Sequence, residues 1–229
     1  MCPLKNFKDA SITFNIEVPE HSFLEIEQPE WKYIYGECEE QLPPNMPEPR
    51  GKPVTITTFI DANLMHDMVT GRSVTGIIHM MNKTPIEWFC KRQNQVETAT
   101  YGSEFMALRI GVEQIMELRY MLRMLGVPVE GPSWILGDNK SVITSSTIPS
   151  STLKKRWNAL SYHRVREAVA AGIVNVIHLP GIENPADVLT KFLPHRVMYR
   201  LIKEFIFWSA YHGISDQDEG SVKIQQASA

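Results

Sequence analysis

Four acidic residues stand out by their surroundings: Asp61 closes the apolar run VTITTFI, Glu104 opens a long helical stretch, Asp138 closes SWILG, and Asp187 sits within PADVLTK. A carboxylate at the end of a buried strand is expensive to desolvate, so several that converge require a compensating cation. Hard oxygen ligands select Mg²⁺ or Mn²⁺. Two such ions about 3.5 to 4 Å apart activate a water, stabilise the leaving oxygen and clamp a phosphodiester between them. Two-metal hydrolysis of this kind needs no covalent protein nucleophile. Taken singly, each acid has a plainer reading: a strand-end cap for Asp61, an N-cap for Asp138, and solvated first-turn charges for Glu104 and Asp187.

Whether the four can converge depends on the elements that carry them. Residues 54–60, 73–81 and 84–90 are rich in β-branched and aromatic residues, and Asn82-Lys83 offers a tight connection, which predicts three successive antiparallel strands. From Thr98 to Leu125 the period becomes helical, with Tyr101, Phe105, Leu108, Val112, Ile115, Leu122 and Leu125 on one stripe and Gly126 and Pro128 ending it. Glu104 lies one turn from Tyr101 and Leu108, at the margin of that stripe. SWILG reads as a short buried parallel strand, followed by a short helix at 140–144. A helix over 152–171, a last strand over 173–179, and helical structure from Ala186 to Lys191 continuing through Met198–Trp208 complete the order β-β-β-α-β-α-α-β-α. That order implies an α/β fold: a mixed five-stranded sheet, three antiparallel strands and then parallel ones, flanked by helices. In such sheets ligands gather at the carboxyl ends of the strands, where Asp61 and Asp138 both lie.

Substrate contacts have candidates too. Lys154, Lys155, Arg156, Arg164 and Arg166 crowd a short stretch that meets no acid before Glu167. They line a backbone-binding surface if they share a helix face, or simply a solvated cationic face. Phosphate contacts of this type add salt-dependent affinity without reading sequence, whereas telling RNA from DNA needs contacts to the 2′-hydroxyl. His163 is a further phosphate-contact candidate. His178, at the end of the last strand, is an auxiliary candidate for proton transfer or product release, or a strand-end cap. His66 has no partner at metal-ligand spacing. Trp88, Trp134 and Trp157 read as core or rim residues rather than stacking platforms.

A chain of 229 residues with 43% hydrophobic content can bury one sizeable core. Residues 1–53 read as an acidic, proline-rich extension or linker, with five prolines between Pro43 and Pro53; the domain runs over 54–210, and 211–229 reads as a polar, frayed or disordered tail. The net charge of −3 hides an asymmetry: residues 1–50 carry ten acids against four bases, and the stretch from Ser215 three against one, leaving residues 51–214 with 18 bases and 13 acids. That mild positive excess suits a nucleic-acid partner. Cys2, Cys38 and Cys90 lack any C-x-x-C spacing and read as reduced thiols. With neither a bilayer-length apolar run nor a hydrophobic signal core, the expectation is a soluble intracellular protein, cytoplasmic or nuclear, without membrane association.

From Thr58 to Leu193 the pieces FIDAN, TGRSVTG, IEWFCKRQNQVETAT, YGSEFMAL, LGDNKSVI, STLKKRWNALSYHRVREAV and HLPGIENPADVLTKFLP stand in an order that resembles the ribonuclease H domain of copia-type LTR retrotransposon polyproteins. The resemblance implies an RNase H-like fold, two Mg²⁺ (or Mn²⁺) ions, and cleavage of the RNA strand of an RNA–DNA hybrid during reverse transcription. It also implies that Asp61, Glu104 and Asp138 are metal-binding catalytic acids, with Asp187 similar to the fourth acid. Departures are local. The family's Asp-x-Asp pair is here Asp61-Ala-Asn63, and its Ala-Glu is Ser103-Glu104.

The resemblance also implies a polyprotein setting, with a reverse transcriptase domain of the same element as partner. The fifty residues before Gly51 hold no polymerase aspartate pair, so the chain reads as a fragment or a separate open reading frame. An integrase shares the fold but places its glutamate last in chain order, whereas here Glu104 comes second. A catalytically silent hybrid-binding or interaction module is the remaining alternative.

Overall fold

The computed structural model describes residues 11–26, 29–153 and 156–207. Its centre is a five-stranded sheet in the order β4-β3-β2-β5-β6, built from β2 (Ile56–Asp67), β3 (Arg72–Met81), β4 (Thr84–Arg92), β5 (Ser133–Gly137) and β6 (Val174–His178). β2, β3 and β4 pair antiparallel, and β5 and β6 join in parallel. Sheet composition and strand sense are those expected, and the order places β2 beside β5. The last two strands come in through helices because a parallel neighbour cannot be reached by a tight turn.

Alternation along the strands divides the core in two. Ile60 and Ile77 face the larger cluster, with Phe105, Leu108, Val112 and Ile115 from α2 (Thr100–Met124) and Val165 and Val169 from α4 (Ala159–Ala170). Their neighbours Phe59 and Ile78 face the other side, where Met198 and Ile202 of α6 (His195–Ile202) pack. α3 (Lys140–Thr147) follows β5, and the four-residue α5 (Asp187–Thr190) follows β6.

Four boundaries differ from the sequence reading. β2 does not stop at Ile60: it runs on to Asp67, pairing with β3 past Asp61↔Gly76, with a register shift between Asn63 and Asp67 where Met65 takes a left-handed φ of 52°. Asp61 is therefore mid-strand in the hairpin, yet it stands just beyond the last β2–β5 pair, Phe59↔Leu136. Asn139, not Asp138, caps α3, its Oδ1 accepting from the Val142 N–H at 3.2 Å, so the Asp138 carboxylate is not used as a cap. The helix expected over 152–171 begins at Ala159 after a 3-10 turn at Arg156–Asn158. The last helical stretch is interrupted between α5 and α6, because Pro194 disfavours helical backbone at the residue before it. Trp208 and the tail 211–229 lie outside the described residues, as do Lys154, Lys155 and Cys2.

The proline-rich extension is more than a linker. Ser11–Ile12 forms β1, paired antiparallel with β7 (Ile206–Phe207). Trp31, beside the short α1 (Lys32–Tyr35), is buried in the main cluster. Glu40 receives bidentate hydrogen bonds from Arg119 (2.7 and 2.7 Å) and Arg123 (2.5 and 2.7 Å) on α2. Burial pushes the Glu40 carboxyl up, but the hydrogen bonds and charge of the two guanidinium groups outweigh it and hold the pKa at about 2. Glu40 thus neutralises two bases of the folded core, and Glu17 pairs with a third, Lys83.

Candidate active site

Asp61, Glu104 and Asp138 come together. One carboxylate oxygen from each lies within 4.8 Å of the others. Parallel pairing of β2 with β5 brings Asp61 and Asp138 to the same sheet end, and the second turn of α2 lays Glu104 over them. Asp61 and Glu104 are buried and Asp138 is half-buried. Glu104 and Asp138 border a cavity of about 520 Å³ that Asn63, Thr100, Lys140 and Lys191 also line. Burial and the charges of Asp61 and Asp138 push Glu104 up to about 9, although Lys191 and a hydrogen bond from the Ala62 N–H pull the other way. Three carboxyls so placed demand either a proton or a cation, and an all-oxygen donor set fits Mg²⁺ or Mn²⁺.

Asp187 stands beside this group but outside the three-oxygen cluster. Its Oδ1 accepts from Lys191 Nζ at 2.8 Å, and the same nitrogen lies 3.2 Å from Asp61 Oδ1. Burial raises the Asp187 pKa; Lys191 opposes that, and the charge of Asp61 adds to it. The other oxygen of Asp61 accepts from Thr190 Oγ1.

Three residues that the sequence reading passed over hold this arrangement. Gly76 lies directly across from Asp61 in the β2–β3 pair, and a Cβ there would stand 2.6 Å from Thr190 Cγ2 and 3.0 Å from both Ala186 O and Leu189 Cβ. Only a glycine lets α5 approach closely enough for Thr190 to reach Asp61. Asn184, fully buried, donates to Ile60 O at 2.8 Å and accepts from the Ala186 N–H at 3.1 Å, pinning the start of PADVLTK to the strand beside Asp61. Lys191 supplies the cation within the acid group. A glycine inside a strand pattern signals such an approach, so Gly76 carried a readable sign. Asn184 carried none beyond its place in the motif.

Among the described residues, the expected substrate contacts Arg156, His163 and Arg166 do not line the cavity. Arg156 is exposed on the 3-10 turn. His163 is exposed but accepts or donates at Nδ1 to Tyr35 Oη at 2.8 Å, so part of its ring faces the N-terminal segment. Arg166 must be reassigned: it is buried, donates to the carbonyls of Ser145, Ile148 and Pro149 at 2.8, 2.9 and 2.7 Å, and lies over the rings of Trp31 and Tyr162 at 4.8 and 4.7 Å. A guanidinium spent on closing helix-end carbonyls has no face left for phosphate. His178 is exposed and pairs with Gly137, one residue from Asp138. Trp134 is buried, while Trp88 and Trp157 are exposed.

No family model matches the chain. It is similar to the retrovirus-related Pol polyprotein from transposon TNT 1-94 of Nicotiana tabacum, 28% identical over 148 residues, which is 65% of this chain and 11% of that protein. It is also similar to the retrovirus-related Pol polyprotein from transposon RE2 of Arabidopsis thaliana, 25% identical over 142 residues, 62% of this chain and 10% of that protein. The chain thus spans about a tenth of the length of these relatives. Among solved structures, the N-terminal RNase H domain of a Mycobacterium tuberculosis protein is 15% identical with a TM-score of 0.46, covering 66% of this chain and 97% of that one. LC11-RNase H1, in complex with RNA/DNA hybrid, is 13% identical with a TM-score of 0.47, covering 59% and 94%. Among the described residues no helix is long and apolar enough to cross a membrane. By sheet order and strand sense the fold is RNase H-like, and the homologues of this chain are retrovirus-related Pol polyproteins of plant transposons.

Proposed function

We propose that this chain is the ribonuclease H domain of a retrotransposon polyprotein and hydrolyses the RNA strand of RNA–DNA hybrids with Mg²⁺ or Mn²⁺. The observation that carries the reading is the meeting of Asp61, Glu104 and Asp138 oxygens within 4.8 Å at the carboxyl end of the parallel strand pair. These three side chains would hold one ion, and Asp61 with Asp187 would hold a second. Bound there, the ions would supply an activated water and charge stabilisation for the displaced oxygen.

The chain's own residues do the positioning. Thr190 fixes one oxygen of Asp61, which leaves the other turned towards the site. Ala62 N–H orients Glu104. Lys140 and Thr100, on the cavity wall, offer a charge and a hydroxyl to a polyanionic backbone. Their attraction is independent of sequence, as a nuclease that must remove a whole template strand requires. A reverse transcriptase domain of the same element is the natural partner, since it produces the hybrid.

The test is hydrolysis of a hybrid labelled on the RNA strand, with Mg²⁺, beside an Asp138→Asn variant. The wild-type chain should release short RNA products, and Asp138→Asn should be slower by roughly a hundredfold or more. Binding of the hybrid without cleavage by the wild-type chain would instead establish a silent binding module.

A further inference from the structure

PADVLTK contributes a cation as well as an acid, and the cation is already in the site. Lys191 Nζ touches Asp187 Oδ1 and Asp61 Oδ1 together, at 2.8 and 3.2 Å. Its place is imposed by the backbone. α5 ends at Thr190, Lys191 turns extended at φ −120° and ψ 147°, and the i,i+4 spacing from Asp187 brings the ammonium back over the helix. The side chain is 35% exposed, so the pair is reachable from solvent but only partly screened by it. Burial works against the ammonium, yet the hydrogen bonds and charges of Asp187 and Asp61 outweigh it and hold the lysine pKa above its usual value.

This contact explains why Asp187 is not among the three acids whose oxygens converge. The oxygen it offers is turned to Lys191. An ammonium and a divalent ion seek the same carboxylate oxygens and cannot occupy one position together. Among the described residues Lys191 pairs with Asp61 and Asp187 and not with Asp138, whose Oδ2 lies close to Gly181. We propose that Lys191 is a resident counter-cation for the second metal position: it neutralises the Asp61–Asp187 edge until a second divalent ion displaces it. The first ion then binds at Asp61, Glu104 and Asp138, and the second binds more weakly, in competition with the lysine. The inference rests on the metal-binding reading above.

Metal binding, not turnover, tests it. Calorimetric titration of the full chain with Mn²⁺, followed by electron paramagnetic resonance for the spin-coupled ion pair, reads each step. In Lys191→Met the second ion should bind roughly tenfold or more tightly, and the first should change far less. Adding Asp187→Asn to that variant should remove the gain. Lys191→Gln keeps length and polarity and should reproduce the effect if the methionine variant folds poorly. In the unaltered chain, the ¹⁵N signal of the Lys191 ammonium should shift further with the second equivalent of Mg²⁺ than with the first, which touches it only through the shared ligand Asp61.

An unchanged or weaker second step in the variants, or a lysine signal whose main shift comes with the first ion, overturns the inference while leaving the metal reading intact. If the wild-type chain binds no ion that Asp138→Asn abolishes, the metal reading itself fails.

Discussion

Arg166 shows how far a single residue can depart from the role its neighbours suggest. It lies among bases in the sequence, but its guanidinium closes three carbonyls at the end of α3 and in the loop after it, and stacks between Trp31 and Tyr162. Arg166→Met should lower stability by about 2 to 4 kcal/mol, since three partly buried acceptors lose their donor along with two cation–π contacts. Hybrid affinity per folded molecule should be unaffected, which thermal melting and a filter-binding assay would separate. Arg156→Ala, at an exposed position, should do the reverse: leave the melt unchanged and flatten the salt dependence of binding if that side chain meets phosphate. The acids were readable because each follows an apolar run or opens a periodic stretch, contexts in which a charge is unusual. Arg166 was not, because its partners Trp31 and Tyr35 come from a segment without periodicity, more than a hundred positions away.

At the scale of elements, α5 on the β2–β3 hairpin decides whether the acids have the geometry to work. Gly76→Ala would place a methyl group 2.6 Å from Thr190 Cγ2 and 3.0 Å from the Ala186 carbonyl. The helix has to lift, at about 1 to 3 kcal/mol in stability. Thr190 and the proposed ligand Asp187 would move with it, so divalent-ion affinity should fall by more than the stability loss alone predicts. Titration calorimetry on the folded variant checks this. Strand identity and sense were legible from β-branched runs and turn residues, whereas the reach of β2 beyond Asp61 was not. ANLMHD has no alternation to mark it as strand, and beyond the buried Ala62 it is held by pairing to β3 rather than by burial. The break before α6 was readable in principle, from Pro194.

At the scale of the molecule, the described residues between 11 and 50 pack against the sheet and its helices. Glu40 fastens this segment to α2 through Arg119 and Arg123, and Glu40→Gln should cost about 1 to 3 kcal/mol of stability. Because the folded pKa of about 2 lies below the ordinary 4.5, the contribution is complete above pH 4.5 and is lost as pH falls towards 2. Melts of wild type and Glu40→Gln should therefore differ at pH 6 and converge near pH 2. The composition gave the extension its acidic character but not its place, since charge counts do not say which bases they meet. The β1–β7 ribbon adds a mechanical consequence. Ser11 pairs with Phe207 and Ile12 with Ile206, so the strands leave the fold side by side. Tension on both flanking segments would load the outer pair before the inner one and open the ribbon as a zipper, at low force, while the five-stranded sheet behind it stays unloaded.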